Sequence, residues 1–320
     1  MSPCTSFIHH TLAFEQAFVT DFWRILEPLY APGATHSIED GGPFGDTDHG
    51  PAAIADGLRR SVHTVDRRFD LRIPAITDGP YLRDDRIWMS FRLTFRRHGL
   101  PDLVVEGEHE TTHRDGLITD FREKLAPGHG ERAARYLREH DAALKPAGSP
   151  FAPVTDAEAL RELQTSINAI LVRCYGMAKG SQDIEAALML CHPGFGIDAV
   201  GFRMASNSRE ETALQLGLFF QAFPDFHPEL AGLVADERSA ACWGSVRMTH
   251  GGDLFGNPPS QRTATLPFSS TFAFKDGLIA RETFFLDLAG LCDGIALPVE
   301  RVLPMVRMLA EAGSAQAGAA

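Results

Sequence analysis

Apolar residues recur at helical spacing from Phe7 to Tyr30, at Phe14, Phe18, Phe22, Ile25, Leu26 and Leu29, and Pro32-Gly33 closes the pattern. A polar, glycine-rich passage from Glu39 to Gly50 leads to a second predicted helix, about Pro51 to Val65, with proline suited to its first turn. Four extended runs follow: Phe69–Ile76, Arg86–Arg96, Leu103–His113 and Leu117–Leu125, the last two separated by Arg114-Asp115-Gly116. Helices first and strands after predict an α+β domain, with a curved, mainly antiparallel sheet packed on N-terminal helices.

The second half repeats the scheme. Helical periodicity over Ala157–Met177, Ile184–Leu190 and Arg209–Phe220 precedes extended runs that end in Lys275-Asp276-Gly277-Leu278-Ile279. Pro193-Gly194 lies 193 − 32 = 161 residues after Pro32-Gly33, and Asp276-Gly277-Leu278-Ile279 lies 276 − 115 = 161 after Asp115-Gly116-Leu117-Ile118. One offset shared by two landmarks predicts a tandem duplication. The expected organisation is a first domain over 1–127, a charged helix and Pro/Gly/Ala linker over 128–155, and a second domain over 156–297. A short helix, Val299–Ala312, and a disordered small-residue tail, Gly313–Ala320, make up 298–320.

Within the second half, Trp243 to Asp287 reads as a strand ending at His250, a Gly/Pro-rich excursion, and a hairpin turned at Asp276-Gly277. Alternation along the last strand puts Thr283, Phe285 and Asp287 on one face and Glu282, Phe284 and Leu286 on the other. Asp287, an acid beside an aromatic at a strand end, could sit at the mouth of an apolar pocket.

Charge and composition narrow the partners. The chain has 320 residues, 44% hydrophobic and 22% charged, with a net charge of -12. That balance argues against nucleic acid and anionic membrane, and suits a small neutral or weakly polar ligand. Cys4, Cys174, Cys191, Cys242 and Cys292 are odd in number and far apart, which predicts reduced, buried thiols in a cytoplasmic protein. No apolar run is long enough to span a membrane, and the start shows no export signal.

A series of motifs carries a resemblance: Phe223-Pro224-Asp225-Phe226-His227, Thr249-His250, Phe255-Gly256-Asn257-Pro258-Pro259, Lys275-Asp276-Gly277-Leu278-Ile279, and Asp287 followed by Gly290-Leu291. In order and spacing this resembles the SnoaL-like polyketide cyclases, within the superfamily of nuclear transport factor 2 and ketosteroid isomerase, over roughly 156–297 and in outline over the first half. The resemblance implies a cone-shaped fold, an intramolecular aldol closure without metal or cofactor, and Asp287 as general acid/base. Family members can pair that aspartate with a histidine from the preceding strand, and Phe268–Phe274 has none.

The residues themselves permit the same chemistry. A carboxylate in an apolar cavity becomes a better base, and Thr249, His250 or Arg247 could serve the developing oxyanion. Trp243, Phe268, Phe272 and Phe285 would line the pocket, or fill the core. Asp287 could instead cap the segment Leu288–Cys292, and His250 could be a loop residue. His109-Glu110-Thr111-Thr112-His113 spells a zinc-protease signature, but that chemistry needs a helix, and this run reads as a strand that sets its histidines about 13 Å apart. The first copy carries Ala126 where the second carries Asp287, so it is expected to be degenerate, a partner in an intrachain pseudo-dimer or an altered pocket. Further homo-oligomers remain open. Three functions follow: a cofactor-independent cyclase or isomerase, a small-molecule binder, or a scaffold recruiting a partner.

Overall fold

The computed structural model describes residues 1–317, with side chains to residue 308. It divides into two compact units, Met1–Arg173 and Cys174–Ala320. The division falls inside one long helix.

Unit one opens with α1, Pro3–Thr20. Ser2 caps it by accepting the Thr5 N–H at 3.0 Å, and Asp21 ends it in the left-handed region. The predicted helix through Tyr30 therefore stops ten residues early; a 3-10 segment covers Trp23–Leu29, and Tyr30 already begins a strand. The other elements are β1 Tyr30–Glu39, β2 Thr47–His49, α2 Pro51–Thr64, β3 Leu71–Arg83, β4 Arg86–Arg96, β5 Leu103–Arg114, β6 Leu117–Leu125 and α3 His129–Glu139. Helix α4, Ala157–Gly180, crosses into unit two. There follow α5 Ile184–Met189, β7 Cys191–Ala199, β8 Met204–Ala205, α6 Arg209–Ala222, β9 His227–Ala235, β10 Ser239–Thr249, β11 Thr263–Lys275, β12 Leu278–Leu286, α7 Leu288–Gly294 and α8 Val299–Ala317. Helix α8 runs on to Ala317, five residues past the expected end at Ala312 and into the expected disordered tail, whose last residues, 318–320, lie outside the described residues.

The two sheets share one plan, β2-β1-β6-β5-β4-β3 and β8-β7-β12-β11-β10-β9. Strands β6 and β12 start 278 − 117 = 161 residues apart and end at the same offset, so the duplication extends to the ladder. Each unit is an α+β cone, its sheet mainly antiparallel. One pair in each is parallel, β1 with β6 and β7 with β12. Those first strands are the elements the pattern of apolar positions misses. Both hold a Pro-Gly pair, and both ladders shift register beside it, between Tyr30 and Thr35 and opposite Ile279–Arg281. Proline offers no N–H to a ladder, so a strand interrupted this way looks like a helix stop in sequence.

The Asp-Gly turns form as expected. Asp115 and Gly116, and Asp276 and Gly277, all have positive φ, the backbone that a tight two-residue hairpin turn requires. In β12 the even positions Glu282, Phe284 and Leu286 are buried, and Phe285 and Asp287 are exposed. That single alternation decides where the site lies.

Candidate functional site

Unit two holds an open cavity of about 560 Å³ that reaches its buried face. Its walls come from β7 (Ile197, Ala199), α6 (Leu216, Phe219, Phe220), β12 (Phe284) and the loop between β10 and β11 (Asp253, Leu254, Phe255). Two charged side chains line it, Lys179 from the end of α4 and Asp253. The loop is held by its ends: the Gly251 and Gly252 N–H groups donate to the Ala222 carbonyl, and Gln261 N–H donates to the His250 carbonyl. Asp253 Oδ1 accepts the Gly256 N–H at 2.8 Å, which closes the turn at the loop tip.

Lys179 joins a buried polar network behind the cavity wall. Its Nζ donates to Glu282 Oε2 at 2.9 Å and Oε1 at 3.1 Å, and lies 5.1 Å from the ring centres of both Tyr175 and Phe284. Tyr175 Oη donates to Glu282 Oε2 at 2.8 Å, and Ser270 Oγ to Oε1 at 2.9 Å. Tyr175 and Lys179 are four apart in α4 and so share a face, which is why both reach one carboxylate. Glu282 is only 2% exposed, yet its oxygens have three donor groups, one of them the counter-charge Lys179, as a buried carboxylate needs. Burial, then the charge of Glu282, raises the Tyr175 phenol well above its ordinary range, so it stays a donor. Burial, then Glu282, pushes the Cys191 thiol up and the Cys242 thiol up to about 12, which keeps both neutral beside the pair.

The residues singled out from sequence stand elsewhere. Asp287 is exposed and outside the cavity wall; its Oδ1 accepts the Ala289 N–H at 3.0 Å as the N-cap of α7. Trp243 and Phe285 lie on the outer sheet face, 45% and 41% exposed. Arg247 and Thr249 are also on that side of β10, where Arg247 Nη1 is 3.4 Å from Asp225 Oδ2 and Thr249 Oγ1 donates to the same oxygen at 2.7 Å. Phe268 and Phe272 do face inward, but as core: Phe268 packs on Phe284 at 6.0 Å and Phe272 meets Tyr175 edge-on at 6.0 Å. His250 is fully buried below the cavity loop; its Nδ1 accepts the Ser260 N–H at 3.2 Å, and its Nε2 has no partner. Burial holds its pKa below the ordinary value.

The expectation failed at one step, the choice of face. Alternation along β12 holds, but the row with the lone aspartate faces outward and the more apolar row turns inward. A glutamate within that row, with a tyrosine and a lysine four apart on a helix, was the available signal.

Unit one carries a different interior. Glu123 Oε2 lies 3.4 Å from His36 Nε2, and Glu123 Oε1 lies 3.9 Å from His109 Nδ1. His10 Nε2 is 2.7 Å from the Tyr30 hydroxyl, and His113 contacts Ser6 and Thr111. His109 and His113 lie on strand β5, not on a helix. Among the described residues no group of three or more His, Cys, Asp or Glu side chains is placed to hold a metal ion. No helix among them is long and apolar enough to cross a membrane.

Residues 169–294 match the family model described as SnoaL-like polyketide cyclase. This segment is similar to the SnoaL-like polyketide cyclases. Solved structures similar to the chain include AclR from Streptomyces galilaeus, a candidate hydroxylase, at 17% identity over 41% of this chain and 97% of its own, TM-score 0.37. IdmH from Streptomyces antibioticus, a candidate polyketide cyclase, is 19% identical over 41% of this chain and 99% of its own, TM-score 0.37. TsrD from Streptomyces laurentii is 20% identical over 39% and 92%, TM-score 0.35. No curated protein matches the chain. The matched segment takes in Lys179, Glu282 and every cavity residue named above, and ends before α8.

Proposed function

We infer that the matched segment is a cofactor-independent enzyme of the cyclase or isomerase type, acting on a small apolar, polyketide-like molecule inside the cavity. The observation that carries this is an apolar cavity lined by one buried ammonium, Lys179, and by one carboxylate, Asp253, on the exposed loop between β10 and β11. Carbon–carbon ring closure between carbonyl groups needs a base for a C–H proton and a partner for the enolate oxygen. Asp253 takes the proton and becomes a neutral acid. The enolate oxygen gathers charge beside Lys179, whose ammonium is already held by Glu282 and needs no reorganisation. The enolate carbon then bonds to the second carbonyl carbon, and the resulting alkoxide recovers a proton from Asp253. Glu282, with its donors Lys179, Tyr175 and Ser270, is a counter-ion that fixes Lys179 and not the base.

The test needs no natural substrate. Exchange of the α-protons of 2-tetralone in D2O, followed by proton NMR, reports the first step. Lys179→Met and Asp253→Asn should each slow catalysed exchange about 100-fold, and Asp287→Asn should leave it within about twofold. Equal exchange in the parent and in both cavity variants rejects this assignment. Loss in Asp287→Asn alone would restore the carboxylate favoured by the family resemblance. The pairing of Lys179 with Glu282 favours one second reading, a binder that holds its ligand without turnover. Binding of 2-naphthol with no tetralone exchange in the parent selects it.

A further inference from the structure

Helix α6 is apolar on two faces. Thr212, Leu216 and Phe220 are buried, but Leu214 and Leu218 are 66% and 57% exposed, and both faces line the cavity. The inner end, by contrast, is closed: Lys179 and Phe284 are 8% and 9% exposed. The cavity thus runs from a buried polar end to an open apolar mouth. The same cavity is lined by Met305, on α8, a helix beyond the matched segment 169–294 that is anchored by buried Val302 and Val306. An apolar helix face left in water is costly unless something covers it. Its continuity with the cavity says what does.

Building on the function inferred above, we propose that Leu214, Leu218 and Met305 form an exit groove for a flexible alkyl or acyl tail, so that the ligand is elongated, with its carbonyl head at Lys179. The groove is uncharged along these side chains and offers the tail nothing but apolar contact. Helix α8 is therefore part of the ligand site, and Met305 is a specificity-determining residue for tail length. Tail and head are read independently, because the groove has no part in enolate stabilisation.

The experiment compares 2-naphthol with 6-butyl- and 6-octyl-2-naphthol by fluorescence titration of the full chain, and reads the ratio of the untailed to the octyl Kd within each protein. The expected ratio in the parent is about tenfold or more, as burial of several methylenes gives. In Met305→Trp, which fills the groove, and in the surface variant Leu214→Ser/Leu218→Ser, it should fall below about threefold. Met305→Ala, which widens the groove, should retain the parent ratio, and far-UV circular dichroism shows that each variant folds. A flat ratio in the parent, or a full ratio in both blocking variants, overturns the proposal. So does a parent dimer that Leu214→Ser/Leu218→Ser dissociates, since a second copy would then be the cover. If Lys179→Met binds 2-naphthol as the parent does but keeps the length dependence, the head-group reading fails and the groove stands.

Discussion

Lys179 Nζ lies 2.9 Å from Glu282 Oε2, joining the end of α4 to the middle of β12 through a charge pair with side chains 10% and 2% exposed. Each charge is tolerable in this apolar setting only because of the other. Lys179→Met should destabilise unit two by about 3–5 kcal/mol, the usual cost of leaving one buried charge unpaired. Glu282→Gln strands the ammonium and should cost a similar amount. The double variant, Lys179→Met with Glu282→Gln, should recover much of the loss, since an apolar side chain over an amide leaves no net charge. Urea unfolding of the four proteins gives the coupling energy, and additive single losses would show that the two groups do not depend on each other.

Asp287 offers a separation of capping from chemistry. Its carboxylate accepts from Ala289 N–H at the start of α7. Asp287→Ala should cost about 1 kcal/mol, whereas Asp287→Asn, an equally good cap, should cost only a few tenths. Thermal unfolding measures both. Tetralone exchange that falls in step with stability, and not with the carboxylate itself, is the result expected of a cap.

The repeat, the hairpin turns and the helix-then-strand order were legible because each rests on local chemistry: Asp-Gly at positive φ, apolar spacing, and a fixed offset between copies. Strands β1 and β7 were not, because Pro32-Gly33 and Pro193-Gly194 break the ladder where a periodic signal would have started. The site was half legible. Sequence alternation set Glu282 opposite Asp287, but which row faces the helices depends on packing by α4 and α6, and no local pattern states it. Lys179 and Glu282 are 103 residues apart, so their pairing is visible only in three dimensions.

The cavity loop depends on a glycine for its close approach. A Cβ on Gly252 would lie 2.0 Å from the Gln221 carbonyl oxygen, a backbone atom at the end of α6. Gly252→Ala must therefore push the loop away and break the N–H contacts to Ala222. Asp253, Leu254 and Phe255 move with it, so 2-naphthol affinity should drop about tenfold or more while stability falls by about 1–3 kcal/mol. Gly256→Ala, at a position with open space but positive φ, is the comparison: a conformational cost of about 1 kcal/mol and a smaller loss of binding. Equal effects of the two would mean that the contact at Gln221 does not position the loop.

Unit one should be the acid-labile half. Burial, then the neighbouring imidazoles, lowers His10 to about 3; burial lowers His109 and His113 to about 4 each. These folded values lie below the ordinary 6.5, so the unfolded chain binds more protons between about pH 6.5 and 4 and stability falls as pH drops through that window. Asp66 opposes this. Burial raises it to about 6 despite Arg72, so between about 3.8 and 6 the folded state holds one extra proton there. Three protons favouring the unfolded state against one favouring the folded leave roughly two, a slope of about 2–3 kcal/mol per pH unit near pH 5. Below the ordinary carboxylate range Glu123 adds to the loss: burial raises it, but the hydrogen bond from His36 and the two imidazoles outweigh that and hold it low. Hydrogen exchange of the intact chain at pH 7.5 and 5 should therefore show protection falling across β5 and β6 before it falls across β11 and β12. Replacing His109 with Gln removes one titrating ring and should flatten the pH slope of unit one by about one proton, even if it lowers stability at pH 7.5. An unchanged slope would mean that the buried imidazoles are not the source of the acid sensitivity.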